Sequence, residues 1–139
     1  MTRRIVCWLT PDPCSLVAAK LAIRENEQHG LPLVVVSERT WIFRDLTSAV
    51  RYLGVPVVVV LPHERTLYCR LNDVHVFGIP VDEQSRYDSL VSGVPKILEV
   101  LADRALTRAD CLELLRRANV DQTVTFRARP KYAGMRAFA

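Results

Sequence analysis

Near the start of the chain, the residues with chemical reach are Thr10, Asp12 and Ser15, in the run Thr10-Pro11-Asp12-Pro13-Cys14-Ser15. They lie between an apolar segment and a helical pattern. That junction suits a phosphate, because the first turn of a helix presents unpaired N–H groups and a positive dipole end. The run contains no glycine. Pro11 removes one donor and fixes φ. Asp12 puts a carboxylate where an anion would sit, and can itself take the helix N–H groups. Like charges in a partly wet site oppose each other by roughly the worth of a good hydrogen bond. The expectation is a helix start that caps itself and has lost tight phosphate binding.

Other chemistry is sparse. Cys7, Cys14, Cys69 and Cys111 form no CxxC pair, and none adjoins a histidine. They read as free thiols in a reducing compartment rather than a metal site or disulfides. His29, His63 and His75 are scattered, and His75 sits in an apolar run that reads as a packed strand. Asp82 and Glu83 are adjacent, so they diverge and make a poor acid–base pair; Glu83 and Arg86 read as a local ion pair. There is no Walker loop, GxSxG or HExxH. No catalytic residue, metal or cofactor is expected.

The elements that must position these residues are legible. Residues 5–9 are apolar on both faces, as in a central parallel strand. Asp12 suits a helix cap and Pro13 its first position, ahead of a helix to about residue 29 with Gly30 as its stop. Residues 31–36 give a second strand. Residues 41–53 repeat at helical spacing, with Gly54 as the stop. Residues 55–61 give a third strand. Residues 62–72 form an irregular connection in which 65–71 alternates enough for a short strand. Residues 74–78 form a fourth strand, and 94–104 read as helix. Thr107 and Asp110 open a last helix in capping-box style. Strands alternating with helices predict an α/β fold: a three-layer, doubly wound, mostly parallel sheet of 4–5 strands with helices at the C-terminus.

The chain has 139 residues, half of them apolar, and a net charge of +4. This supports one core-bearing α/β domain over residues 1–120, with a basic tail over 121–139. No apolar run approaches the roughly 18 residues a membrane span needs, and residues 5–9 are too short for a signal core. A cytoplasmic protein without membrane contact is expected. In the tail, Arg127, Arg129, Lys131 and Arg136 stand without an acid from residue 123 onward. A solvated terminus is the simplest reading, and contact with nucleic acid or an acidic protein the alternative.

Three blocks in order resemble the phosphoadenosine phosphosulfate (PAPS) reductase-like family of the adenine-nucleotide α-hydrolase group. The first is residues 5–22. The second is Val74-His75-Val76-Phe77-Gly78 followed by Asp82, Glu83 and Arg86. The third is residues 106–112 with Arg117-Ala118-Asn119-Val120, which is similar to a helix of phage and bacterial relatives. The resemblance implies remnant nucleotide positions at Thr10, Ser15, Glu38 and Gly78. The departures are as informative. The two glycines of the family's Ser-Gly-Gly-x-x-Ser loop fall at Pro11 and Asp12, its basic residues fall at Pro80 and Val81, and no cysteine stands in the tail. These imply a degenerate, catalytically inactive relative that binds a host protein or ribonucleoprotein complex. By analogy of provenance, this would be a phage-encoded inhibitor of a defence complex of anti-CRISPR type. The alternatives are an adenine-nucleotide-binding enzyme using Ser15 and Glu38, and a nucleic-acid-binding accessory protein using the basic tail.

Overall fold

A computed structural model of the chain describes residues 3–10, 12–38, 41–42, 46–86, 94, 96–120 and 127–128. Its centre is β1 (Arg4–Leu9), buried on both faces. Residues Ile5, Cys7 and Leu9 face one apolar cluster, while Val6 and Trp8 face another. This two-sided burial explains why the strand is apolar throughout rather than alternating. β2 (Leu33–Glu38) and β5 (Asp73–Val76) flank it, β4 (Val57–Val60) lies outside β2, and β6 (Ile97–Leu98) lies outside β5. All four pairings are parallel. The chain winds outward from β1 through β2 to β4, then returns to the other side of β1 for β5 and β6. The direction of winding therefore reverses between β1 and β5, where an open α/β sheet leaves a crevice at the carboxyl ends of its strands.

Among the described residues, one face carries the α-helices. α1 (Pro13–Asn26) runs along the sheet and is flanked by α2 (Leu46–Leu53), α3 (Val100–Asp103) and α4 (Arg108–Arg117). Being surrounded, α1 buries Leu16, Val17, Ala18, Ala19 and Ala22, and its alanines let the neighbours approach closely. The other face buries Val6, Trp8, Val36, Val60, Phe77 and Ile79 beneath Tyr68 and Val94. The architecture is α/β, three-layered and doubly wound, with α3 and α4 following the last strand of the parallel sheet.

Three expectations are corrected. The helix expected from Trp41 starts only at Leu46; Trp41–Ile42 is instead β3, antiparallel to β7 (Arg127–Ala128). That partner lies some 85 residues away, out of reach of local periodicity. The possible strand over 65–71 is a 3-10 segment, Pro62–Tyr68, closed by Glu64 accepting from the Leu61 N–H at 2.8 Å. The helix expected over 94–104 forms only at its end, and two residues before it are edge strand. Ile97 and Leu98 pair with β5, which leaves α3 a single turn.

A salt bridge ties β1 to β5 at the amino end of the sheet. Arg4 donates from Nε to Asp73 Oδ1 at 3.0 Å and from Nη2 to Asp73 Oδ2 at 2.7 Å, and Nη2 also reaches the Leu67 carbonyl at 2.9 Å. Burial pushes the Asp73 carboxyl up, but the Arg4 guanidinium and the Arg70 N–H outweigh it and hold it below its ordinary value.

Candidate functional site

The crevice position lies where β1 and β5 end. Asp12 caps α1 through its Oδ1, which accepts from the Cys14 N–H at 2.9 Å, and Pro13 follows in the first helical turn. This is the self-capped start expected from the residue types. Thr10 and Ser15 close the turn from inside. Ser15 Oγ accepts from the Thr10 N–H at 3.1 Å and donates to the Asp12 carbonyl at 2.7 Å, and Thr10 Oγ1 accepts from the Asp12 N–H at 3.3 Å. Ser15 is 1% exposed. Its hydroxyl is committed to the loop that would have to hold a ligand.

Gly78, just beyond β5, packs directly on this turn. A Cβ there would lie 2.3 Å from the Ser15 Cα and N and 2.5 Å from the Cys14 carbonyl carbon. Glycine is required because backbone meets backbone, and the contact occupies the space between β5 and the start of α1.

Arg108 closes the site from above. Its Nη1 and Nη2 donate to Asp12 Oδ1 and Oδ2 at 3.0 and 2.6 Å. Nε and Nη2 also donate to Glu83, the latter at 3.0 Å, and the Arg108 N–H donates to Asp82 Oδ1 at 3.0 Å. One guanidinium thus grips two carboxylates in forked fashion, the geometry in which arginine binds strongly. The bonds to Glu83, then those to Asp12, raise the Arg108 pKa above its ordinary value. Three carboxylates surround this cation, so an incoming phosphate meets carboxylate oxygens and donors already in use.

Beneath the clamp, Cys14 and Cys111 are both fully buried. The hydrogen bond to Cys111, followed by burial, pushes the Cys14 thiol well above the ordinary cysteine range. Thiolate, the reactive form, is disfavoured there. Ser37, in register with Leu9, is fully buried and its hydroxyl finds no partner among the described residues.

Of the residues singled out in the sequence, the fold brings Thr10, Ser15 and Gly78 together. Glu38 ends β2, one strand away and in register with Val60. Arg127 belongs to β7, in register with Ile42, while Arg129, Lys131 and Arg136 lie outside the described residues. Glu83, expected to pair with Arg86, accepts from Arg108, which reaches it because α4 is docked over the start of α1. Arg108 itself was missed. Its one sequence signal is a cation in the first turn of a capped helix, against the dipole, a placement that calls for carboxylate partners.

Comparisons with protein-family models, with curated proteins and with solved structures returned no match to this chain. Fold and site therefore define its class: a doubly wound parallel α/β domain whose first helix start is filled by its own side chains. Among the described residues, no helix is long and apolar enough to cross a membrane.

Proposed function

We propose that the chain is a catalytically inactive scaffold of the PAPS reductase-like type that acts by binding a host protein or ribonucleoprotein complex. The observation that carries this reading is the clamp at the start of α1. Asp12 stands at the phosphate position and Arg108 holds it there through two hydrogen bonds. Together with the Gly78 contact on Ser15, it takes up the Ser15 hydroxyl and the Cys14 and Arg108 N–H groups that a nucleotide would need at this helix start, while the scaffold around it stays packed. The finer reading, an inhibitor of a host defence complex, rests on the likeness of residues 106–120 to phage-type relatives.

Calorimetric titration with ATP, AMP and PAPS tests the first half. No binding is expected in the micromolar range for any of the three. Micromolar binding that Ser15→Ala abolishes would overturn the reading in favour of a nucleotide-binding protein. Affinity capture from the host, followed by native mass spectrometry, tests the second half. A complex of fixed stoichiometry that survives moderate salt is expected, and failure to form one at low or moderate salt contradicts the reading.

A further inference from the structure

The clamp fills one end of the sheet; the opposite end is concave. A groove of about 760 Å³ runs between α1 and α2, walled by Lys20, Ile23 and Arg24 on one side and by Leu53 and Val55 on the other. Next to it lies a cavity of about 240 Å³ floored by Ile5, Ala22, Val74 and Val100. Asn26 and Leu31 line both, so the two concavities adjoin at that pair. The ridge between them is rigid. The Asn26 amide donates to the Leu31 carbonyl at 2.8 Å and accepts from the Leu31 N–H at 3.1 Å.

The charges around these concavities are unbalanced. Glu25, on the cavity rim, is neutralised by Arg104 at 2.8 Å. Lys20 donates to the Tyr52 carbonyl at 2.7 Å, a neutral acceptor that supplies no counter-charge. Arg24 is exposed and forms no ion pair among the described residues. The groove thus offers an aliphatic floor under a positive edge, with Glu27 its one unneutralised acid. An apolar cavity of about 150 Å³ accepts a benzene ring, so the cavity of about 240 Å³ has room for one large aliphatic or aromatic side chain.

From this geometry we infer that the groove docks an acidic polypeptide segment that seats a single large apolar residue in the cavity at the amino end of the sheet. The inference rests on the protein-binding reading above and names the surface and the partner's chemistry. A buried apolar anchor within a charged rim is how protein interfaces concentrate their affinity. Nucleic acid fits less well, because single strands need open aromatic faces for stacking, and Lys20 lies over the Tyr52 ring at 5.4 Å.

The test is selection of a displayed random 12-residue peptide library on the full chain. Acidic residues around one aromatic or large aliphatic residue are expected to be enriched. The synthetic consensus peptide should lose at least tenfold in affinity to Arg24→Gln, and as much to Leu98→Glu, which puts a charge at the exposed edge of the cavity. Both changes lie on exposed side chains, and thermal melts confirm that each variant folds. A basic or featureless consensus, or one whose binding ignores both variants, would overturn the groove. So would displacement of the peptide by a 12-nucleotide DNA strand whose own binding ignores Leu98→Glu. A host complex captured equally by the wild type and both variants would overturn the groove while leaving protein binding standing. Capture of no complex by any chain would remove the protein-binding reading itself.

Discussion

At the scale of single residues, Arg108 and His75 decide the most. Arg108 is 34% exposed on its side chain, so its pairing is discounted for solvent screening. Its loss still leaves Asp12 and Glu83 facing each other without their shared cation. Arg108→Met is expected to lower unfolding free energy by about 1–3 kcal/mol. Arg108→Lys should recover less than half of that, since an ammonium lacks the fork. Urea unfolding curves measure both, and unchanged stability in the Met variant would show that the clamp contributes nothing. His75 poses a different problem. It is buried, its Nδ1 accepts from Trp8 Nε1 at 2.9 Å, and its ring stacks between Trp8 and Phe77. Burial lowers its pKa from the ordinary 6.5. As pH falls below that value, the unfolded chain takes up a proton that the folded chain refuses. Stability then falls by up to about 1.4 kcal/mol per pH unit until the depressed folded value is passed. Urea midpoints followed by Trp8 fluorescence at pH 7 and pH 5.5 should show this slope, and His75→Gln should flatten it. An equal slope in the variant would assign the effect to other groups.

At the scale of elements, the contact between the end of β5 and the start of α1 has the least tolerance. A Cβ at Gly78 meets only backbone atoms, 2.3 to 2.5 Å away, and no side chain can swing aside. Gly78→Ala is expected to push α1 off the sheet and cost about 3 kcal/mol or more, read as a large fall in melting temperature. A near-native melt would mean that α1 is not seated as described. β1 and α1 were the most legible elements in the sequence. β1 is apolar because both its faces are covered, and α1 begins at an aspartate–proline pair that caps and starts a helix from local geometry alone. The capping box of α4 was legible for the same reason, and both its bonds form: the Asp110 N–H to Thr107 Oγ1 at 3.2 Å and the Thr107 N–H to Asp110 Oδ2 at 3.0 Å. β3 and β6 were not legible. Each is two residues long, and each is a strand only because a distant segment supplies the hydrogen-bonding partner.

At the scale of the whole molecule, the four thiols report the fold. Cys7, Cys14 and Cys111 are buried, spread over β1, α1 and α4, and only Cys69 is exposed. Burial pushes the Cys7 thiol up to about 12 and so suppresses the reactive thiolate. Alkylation under native conditions is expected to add one label, at Cys69, and four in denaturant. The three late labels should appear together, at the rate of global unfolding. A second label in the native state would reveal a helix layer that opens by itself. Arg4 makes the molecule cooperative in another way, since one side chain joins the start of β1 to Asp73 and to the Leu67 carbonyl across more than 60 residues.

By itself the sequence determined that a strand, a self-capping turn and a helix open an α/β domain. Burial pattern, proline geometry and side-chain capping all act within a few residues. It also determined that Asp12 would take helix N–H groups itself. Only the tertiary structure decided what holds Asp12 in place. Its partner Arg108 lies 96 residues away, and the reach of the same guanidinium to Glu83 follows from α4 docking on α1. A carboxylate's nearest cation in space is set by how the helices stack, and local periodicity carries no record of that. The adjoining concavities at the amino end arise in the same way, from strands and helices that meet only once the sheet is assembled.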